Sequence, residues 1–363
     1  MIELEKLANQ VLHNCYISDS RFAGNYSICG LAMRLRDLYK WENGFEPWLE
    51  KDFPDILDWI GEREESWNTL KGQDFKDIVI HGRKYNPFDL EGINAQLGPL
   101  DLFYGGGYGS SLKPTFVLAR LEEKKEIYGF PVYILGRELA RDLFTVPALS
   151  QEGSIIVRRE AAKLYIWDQI FYVRESCRPA LNFALEQYGI EPGNQKEVQR
   201  AMPLIAAAET EVFMYHESGE LLETGFDRDV WREVIAAFPH SPIELLARSI
   251  KDLLADTNEF GRLAFIIRGR KAASLGFFTA FLGGLARELF PEIQEAFSEF
   301  KECGDWGLIE TAKATGYKRV REYAGRITHI HLEARRTKDE SWAKKELTEK
   351  LLKQLYLDTA TVK

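Results

Sequence analysis

Apolar residues recur with helical spacing towards both ends of the chain and with strand character in between. Ile28, Leu31, Ala32, Leu35, Leu38 and Tyr39 follow the i, i+3, i+4, i+7 rule and predict an amphipathic helix. Ser27 is placed to cap that helix and Asn43-Gly44 to end it, since glycine adopts positive φ without steric cost. A second helix is predicted with Asp52 as its cap, Pro54 in its first turn, and Ile56, Trp59, Ile60 and Arg63 along one side.

Residues 75–150 change character. The run 77–81 reads as a short strand, and 86–87, 97–99 and the glycine-rich 104–109 read as turns and breakers. The β-branched and aromatic runs 115–121 and 127–135 predict an antiparallel hairpin over 114–136, with the charged stretch 122–126 at its tip. Pro131 inside the second run predicts an edge or a bulge there.

Helical signals resume near residue 154. The segment 155–176 is apolar nearly all round and predicts a central helix. Asn194 with Glu197 is a capping pair, and Pro203 is expected to kink or restart the helix that follows. Ser241-Pro242-Ile243-Glu244 is a helix start, followed by a stripe of Ile243, Leu246, Ala247, Ile250, Leu253 and Leu254. Val320, Tyr323, Ala324, Ile327, Ile330, His331 and Ala334 make another stripe, and Thr337 with Glu340 is expected to open the last helix.

The fold class is therefore α+β and predominantly α-helical: a helical N-terminal segment, a small antiparallel β insertion and a larger C-terminal helical domain. Residues 1–150 are expected to form a mixed N-terminal domain, its β-containing part at 75–136, and residues 151–363 a helical C-terminal domain.

Composition narrows the function classes. The 56 acidic residues against 47 basic ones give a net charge of −9, which argues against general nucleic-acid binding. Cys15, Cys29, Cys177 and Cys303 lie far apart without a CxxC, so neither a zinc knuckle nor a redox dithiol is written, and the usage fits a reducing compartment. Residues 1–10 have no apolar core of a secretory signal. The longest uncharged run, 272–286, would span about 22 Å as a helix, short of the roughly 30 Å of a hydrocarbon core. It reads instead as a buried helix in which Gly276 and Ala280 admit a close neighbour. The expectation is a cytoplasmic protein without a membrane partner.

Candidate chemistry concentrates on 203–223. Counted at 100° per residue from Pro203, Glu209, His216 and Glu220 fall at about 240°, 220° and 260°. Two carboxylates and an imidazole on one helical line are ligand types for a divalent metal, with Asp252 or Asp256 as a fourth ligand from the next helix. Asp252, however, points away from its helix's apolar stripe, and Gly219 is placed to end the first helix before Glu220.

Other motifs give weaker readings. His329 and His331 are two residues apart, so on a helix they diverge, and His331 falls on the apolar face as a core histidine. Gly105, Gly106, Gly107 and Gly109, with Ser110 and Ser111, could edge a cleft for a small molecule, but no helix follows as a phosphate-binding loop requires. Residues 41–65 hold nine acids and two bases beside Trp41, Trp48, Trp59 and Trp67, a surface suited to a protein partner or a homo-oligomer, or else tryptophans of a helical core. No GxSxG or HExxH occurs. Three readings stand: a metal-dependent enzyme, a non-enzymatic interaction or scaffold protein, and a small-molecule binder.

Overall fold

A computed structural model describes residues 3–50, 53–109 and 112–355. The expected cap Asp52 and the serines Ser110 and Ser111 lie outside the described residues. The chain divides into two compact units, Met1–Asp168 and Gln169–Lys363.

The first unit contains α1 (Leu4–Phe22), α2 (Ile28–Glu42), α3 (Phe53–Leu70), β1 (Ile78–Ile80), β2 (Arg83–Tyr85), α4 (Leu90–Leu97), β3 (Leu102–Tyr108), β4 (Pro114–Ile127), β5 (Phe130–Arg141), β6 (Ala148–Gln151) and β7 (Ser154–Arg158). α5 (Arg159–Phe171) follows directly and ends just past the boundary. Ser27 caps α2 by accepting from the Gly30 amide, and Gly44 beyond its end has φ +66°. β1 and β2 form a small hairpin, and the main sheet has the order β3-β4-β5-β7-β6, antiparallel except for the parallel pair β5/β7.

One face of the main sheet (Leu102, Tyr104, Phe116, Leu118, Ala140) packs against Leu7, Val11 and Cys15 of α1 and Ile93 and Leu97 of α4. The other face gathers Phe103, Val117, Ala119, Leu135 and Ile156 with Leu149 and Tyr133, from every strand of the sheet. A second cluster joins α1, α2 and α3 through Ile17, Leu35, Leu38 and Trp67.

Several expectations need correction. The hairpin over 114–136 forms, but 122–126 belongs to β4, and the turn is Tyr128-Gly129, both at positive φ. A two-residue turn of this kind matches the twist of the strands it joins, so charge did not mark the tip. Pro131 lies at the hairpin end, just before β5 begins pairing with β7 at Val132. The glycine-rich stretch is strand, not turn. Its missing side chains make room for neighbours: a Cβ at Gly105 would lie 2.9 Å from Val117 Cγ1, and one at Gly106 3.0 Å from the Pro87 carbonyl. Residues 155–158 are strand rather than helix. A short buried β-branched run has no periodicity to separate the two, and parallel pairing buries it on both sides.

The second unit is helical: α6 (Arg178–Glu186), α7 (Gln195–Leu222), α8 (Arg228–Ala237), α9 (Pro242–Thr257), α10 (Arg262–Arg268), α11 (Ala272–Phe281), α12 (Gly284–Leu289), α13 (Glu292–Cys303), α14 (Trp306–Thr337) and α15 (Glu340–Leu347). The uncharged run 272–286 breaks after Phe281, so only α11 is the core helix. Gly276 presses it onto α6, where a Cβ would lie 2.9 Å from that of Ala184. Thr337 ends α14, and Asp339 rather than Thr337 caps α15 by accepting from the Trp342 amide. Among the described residues no helix is long and apolar enough to cross a membrane. The protein is thus α+β and mostly helical, with its sheets in the N-terminal half and a helical C-terminal region.

Candidate metal centre

The convergence of side chains in the helical unit begins with two well-started helices. Asn194 caps α7 through the Glu197 amide, and Ser241 caps α9 through the Glu244 amide, with Pro242 at its first position. Pro203 sits inside α7 without ending it, and Gly219 does not end it either. Gly219 instead permits contact. A Cβ there would lie 2.2 Å from the Ala255 carbonyl and 2.9 Å from Gly261 Cα. Asn258 Nδ2 donates to the Gly219 carbonyl at 2.9 Å, and Ser218 Oγ donates to the Phe260 carbonyl at 3.0 Å. The C-terminal end of α7 is thereby fastened to the end of α9 and the start of α10.

This fastening places His216 and Glu220, one turn apart on α7, opposite Asp252 on α9. One donor atom from each of the three lies within 4.8 Å of the others. His216 Nδ1 is 2.7 Å from Asp256 Oδ1, which leaves Nε2 as the nitrogen open to an ion. The Arg262 guanidinium approaches the same Asp256 oxygen at 3.1 Å. Glu220 is ion-paired with Lys251. His216 and Glu220 are half-buried, whereas Asp252 is exposed.

Electrostatics follow from these pairings. Burial alone would lower the His216 pKa, but the Asp256 carboxylate outweighs it and pushes the imidazole up to about 9. Burial raises the Asp256 carboxyl, yet Arg262 and His216 together hold it below its ordinary value. Glu220 is likewise held low against its burial, by Lys251 and His216. Glu217, buried beside His216 in the chain, moves the other way. Burial pushes it up to about 7, opposed by His216 and reinforced by the charge of Glu220.

Of the residues singled out from the sequence, His216, Glu220 and Asp252 come together, and Asp256 stands behind His216. Glu209 lies apart. It is buried and accepts a 2.6 Å hydrogen bond from Ser274 Oγ. The angular count put Glu209 on the same line, but eleven residues of α-helix separate it from Glu220 by about 16 Å along the axis. Glu217 was missed. The signal was present as His216-Glu217-Ser218-Gly219-Glu220, one substitution from the His-Glu-x-x-His pattern in which two ligands share a helix face with an acidic base beside them.

The other candidates resolve differently. His331 is buried on α14 with Nε2 2.7 Å from Glu233, and His329 is exposed. Cys177 is buried against Arg287 Nη1. Trp67 is buried, while Trp41, Trp48 and Trp59 are half-buried, packed on Arg141, Trp167 and Tyr39 respectively.

Fold and site together describe a two-unit α+β protein whose helical unit gathers one imidazole and two carboxylates. Residues 6–158 match the N-terminal domain, and residues 163–350 the C-terminal domain, of a family of unknown function (DUF6866), and the chain belongs to that family. No curated protein and no solved structure matches it.

Proposed function

We propose that the helical unit holds a divalent cation of the Zn²⁺, Mn²⁺ or Fe²⁺ type, with His216, Glu220 and Asp252 as ligands. The observation that carries this reading is the approach of the three donor atoms to within 4.8 Å of one another. A nitrogen and two carboxylates suit these ions, and three protein ligands are the number found in open catalytic sites rather than closed structural ones. The bound ion would supply Lewis acidity and acidify water at neutral pH. Asp256 fixes the ring of His216 through Nδ1, the usual supporting contact of a ligating histidine. Lys251 neutralises Glu220 and gives way to the ion.

The test is calorimetric titration of Zn²⁺ and of Mn²⁺ into chelator-stripped full-length protein. One site is expected, lost in Glu220→Gln and Asp252→Asn and retained in Glu217→Gln. Absence of binding, or equal binding in a protein carrying both ligand substitutions, contradicts the reading.

A further inference from the structure

Lys251 on α9 and Trp231 on α8 stand beside the candidate metal centre. The Lys251 ammonium is ion-paired with Glu220, one of the three ligands of the cation reading. It also lies 4.3 Å from the centroid of the Trp231 ring, within the range of a cation–π contact. The ammonium is thus seated between a carboxylate and an aromatic face rather than free in solvent. Both partners of the pair are mostly buried, with side chains 20% and 18% exposed.

The pair stands among further acids. Glu217 is buried next to His216 in the chain, and the charges of Glu220, Asp252 and Lys251 all act on it. Asp252 in turn feels Glu220, Asp256 and Lys251. Several carboxylates therefore share the field of one ammonium. Carboxylate oxygens are the ligands of hard cations such as Ca²⁺, whereas an imidazole nitrogen favours Zn²⁺ and its neighbours. Without Lys251 the acids alone would attract ions of either kind.

We propose, on the cation reading of His216, Glu220 and Asp252, that Lys251 is a built-in competitor of the bound ion and the residue that keeps oxygen-seeking cations such as Ca²⁺ out of the site. An ion that takes Glu220 must first displace the ammonium, and that cost is the same for every ion. Zn²⁺ offsets it through the His216 nitrogen. Ca²⁺, held by oxygens alone, does not, and falls out of the working range. Tethered on α9 against Trp231, the ammonium competes at a fixed local concentration that dilution does not lower.

Calorimetric titration of Zn²⁺ and, separately, of Ca²⁺ into the chelator-stripped full chain is the test. Wild type should take one Zn²⁺ and no Ca²⁺ in the millimolar range. Lys251→Met and Lys251→Gln drop the charge with little change of bulk. Each should bind Zn²⁺ about tenfold tighter, the scale of a half-buried ion pair no longer broken on entry, and gain a Ca²⁺ site. Lys251→Arg keeps the charge and should behave as wild type. Arg248 lies 5.7 Å from the same Trp231 ring but pairs with Glu244, so Arg248→Met should change neither titration. Zn²⁺ affinity unchanged in the two neutral variants, equal tightening in Arg248→Met, Ca²⁺ taken up by wild type, or Ca²⁺ refused by both neutral variants overturns the role of Lys251 and leaves the cation site standing. Zn²⁺ bound by neither wild type nor the neutral variants removes the cation site itself, and the role of Lys251 with it.

Discussion

His216 and Asp256 stand on two different helices, and their 2.7 Å contact from Nδ1 to Oδ1 fixes the plane of the imidazole. Glu220 and Asp252 each bring a carboxylate oxygen to within 4.8 Å of a nitrogen of the same imidazole. The contact fixes a tautomer when the ring is neutral and an ion pair when it is charged. Removing the carboxylate charge with Asp256→Asn should therefore weaken cation binding by about 10–100-fold at pH 9, where proton competition at His216 no longer favours the variant, without changing its stoichiometry, as supporting contacts of ligating histidines do. Calorimetric titration of the variant measures this directly.

The same contact makes cation binding pH-dependent. With its pKa pushed up to about 9 by Asp256, His216 carries a proton at pH 7, and an ion taking Nε2 must displace it. Affinity should rise roughly tenfold per pH unit up to about pH 9 and then level. Titrations at pH 7 in buffers of different ionisation enthalpy should show about one proton released per ion.

Glu209 yields a stability prediction separate from the metal. Burial pushes its carboxyl up to about 7 from an ordinary 4.5, with Ser274, Arg262 and Lys271 pulling the other way. Between those values the unfolded chain has lost its proton and the folded one has kept it, so stability falls as pH rises through the window and levels above 7. The full difference corresponds to about 3 kcal/mol. Glu209→Gln keeps an acceptor for Ser274 and removes the titration. Urea unfolding should find the variant near wild type at pH 4.5 and more stable by up to about 3 kcal/mol at pH 8.

Gly219 gives a prediction of unusual sign. Glycine to alanine inside a helix ordinarily stabilises by about 1 kcal/mol. Here the new Cβ would lie 2.2 Å from a backbone carbonyl oxygen, that of Ala255, so α7 and α9 must separate. Gly219→Ala should cost about 1–3 kcal/mol in urea unfolding and weaken cation binding, because Glu220 follows Gly219 directly.

Much of the fold was legible because its helices carry stripes and caps. Ser27, Asn194 and Ser241 each cap the helix expected of them. The strand at Ile155–Val157 was not, since its identity depends on β5 lying alongside, a partner twenty-three residues away in sequence. The glycine-rich strand misled for a related reason. Glycine marks a turn only where positive φ is needed, and at 105–107 it marks the space taken by Val117, Phe116 and Gln151. In the candidate centre, helical angle brought His216 and Glu220 forward correctly as neighbours and added Glu209, because an angle carries no information about rise along the axis. The role of Gly219 was illegible for the opposite reason: its contact is with Ala255 and Gly261, which only the packing of α7 on α9 and α10 reveals.

Elemental analysis of full-length protein purified without chelators tests the central claim most directly. The account predicts close to one Zn, Mn or Fe per chain in the wild type, and loss of that metal in His216→Ala with Glu220→Gln while the protein remains folded by circular dichroism. Wild-type protein that neither retains such a metal nor takes one up on dialysis against Zn²⁺, Mn²⁺ and Fe²⁺, or a double variant that keeps the same metal content, would contradict it.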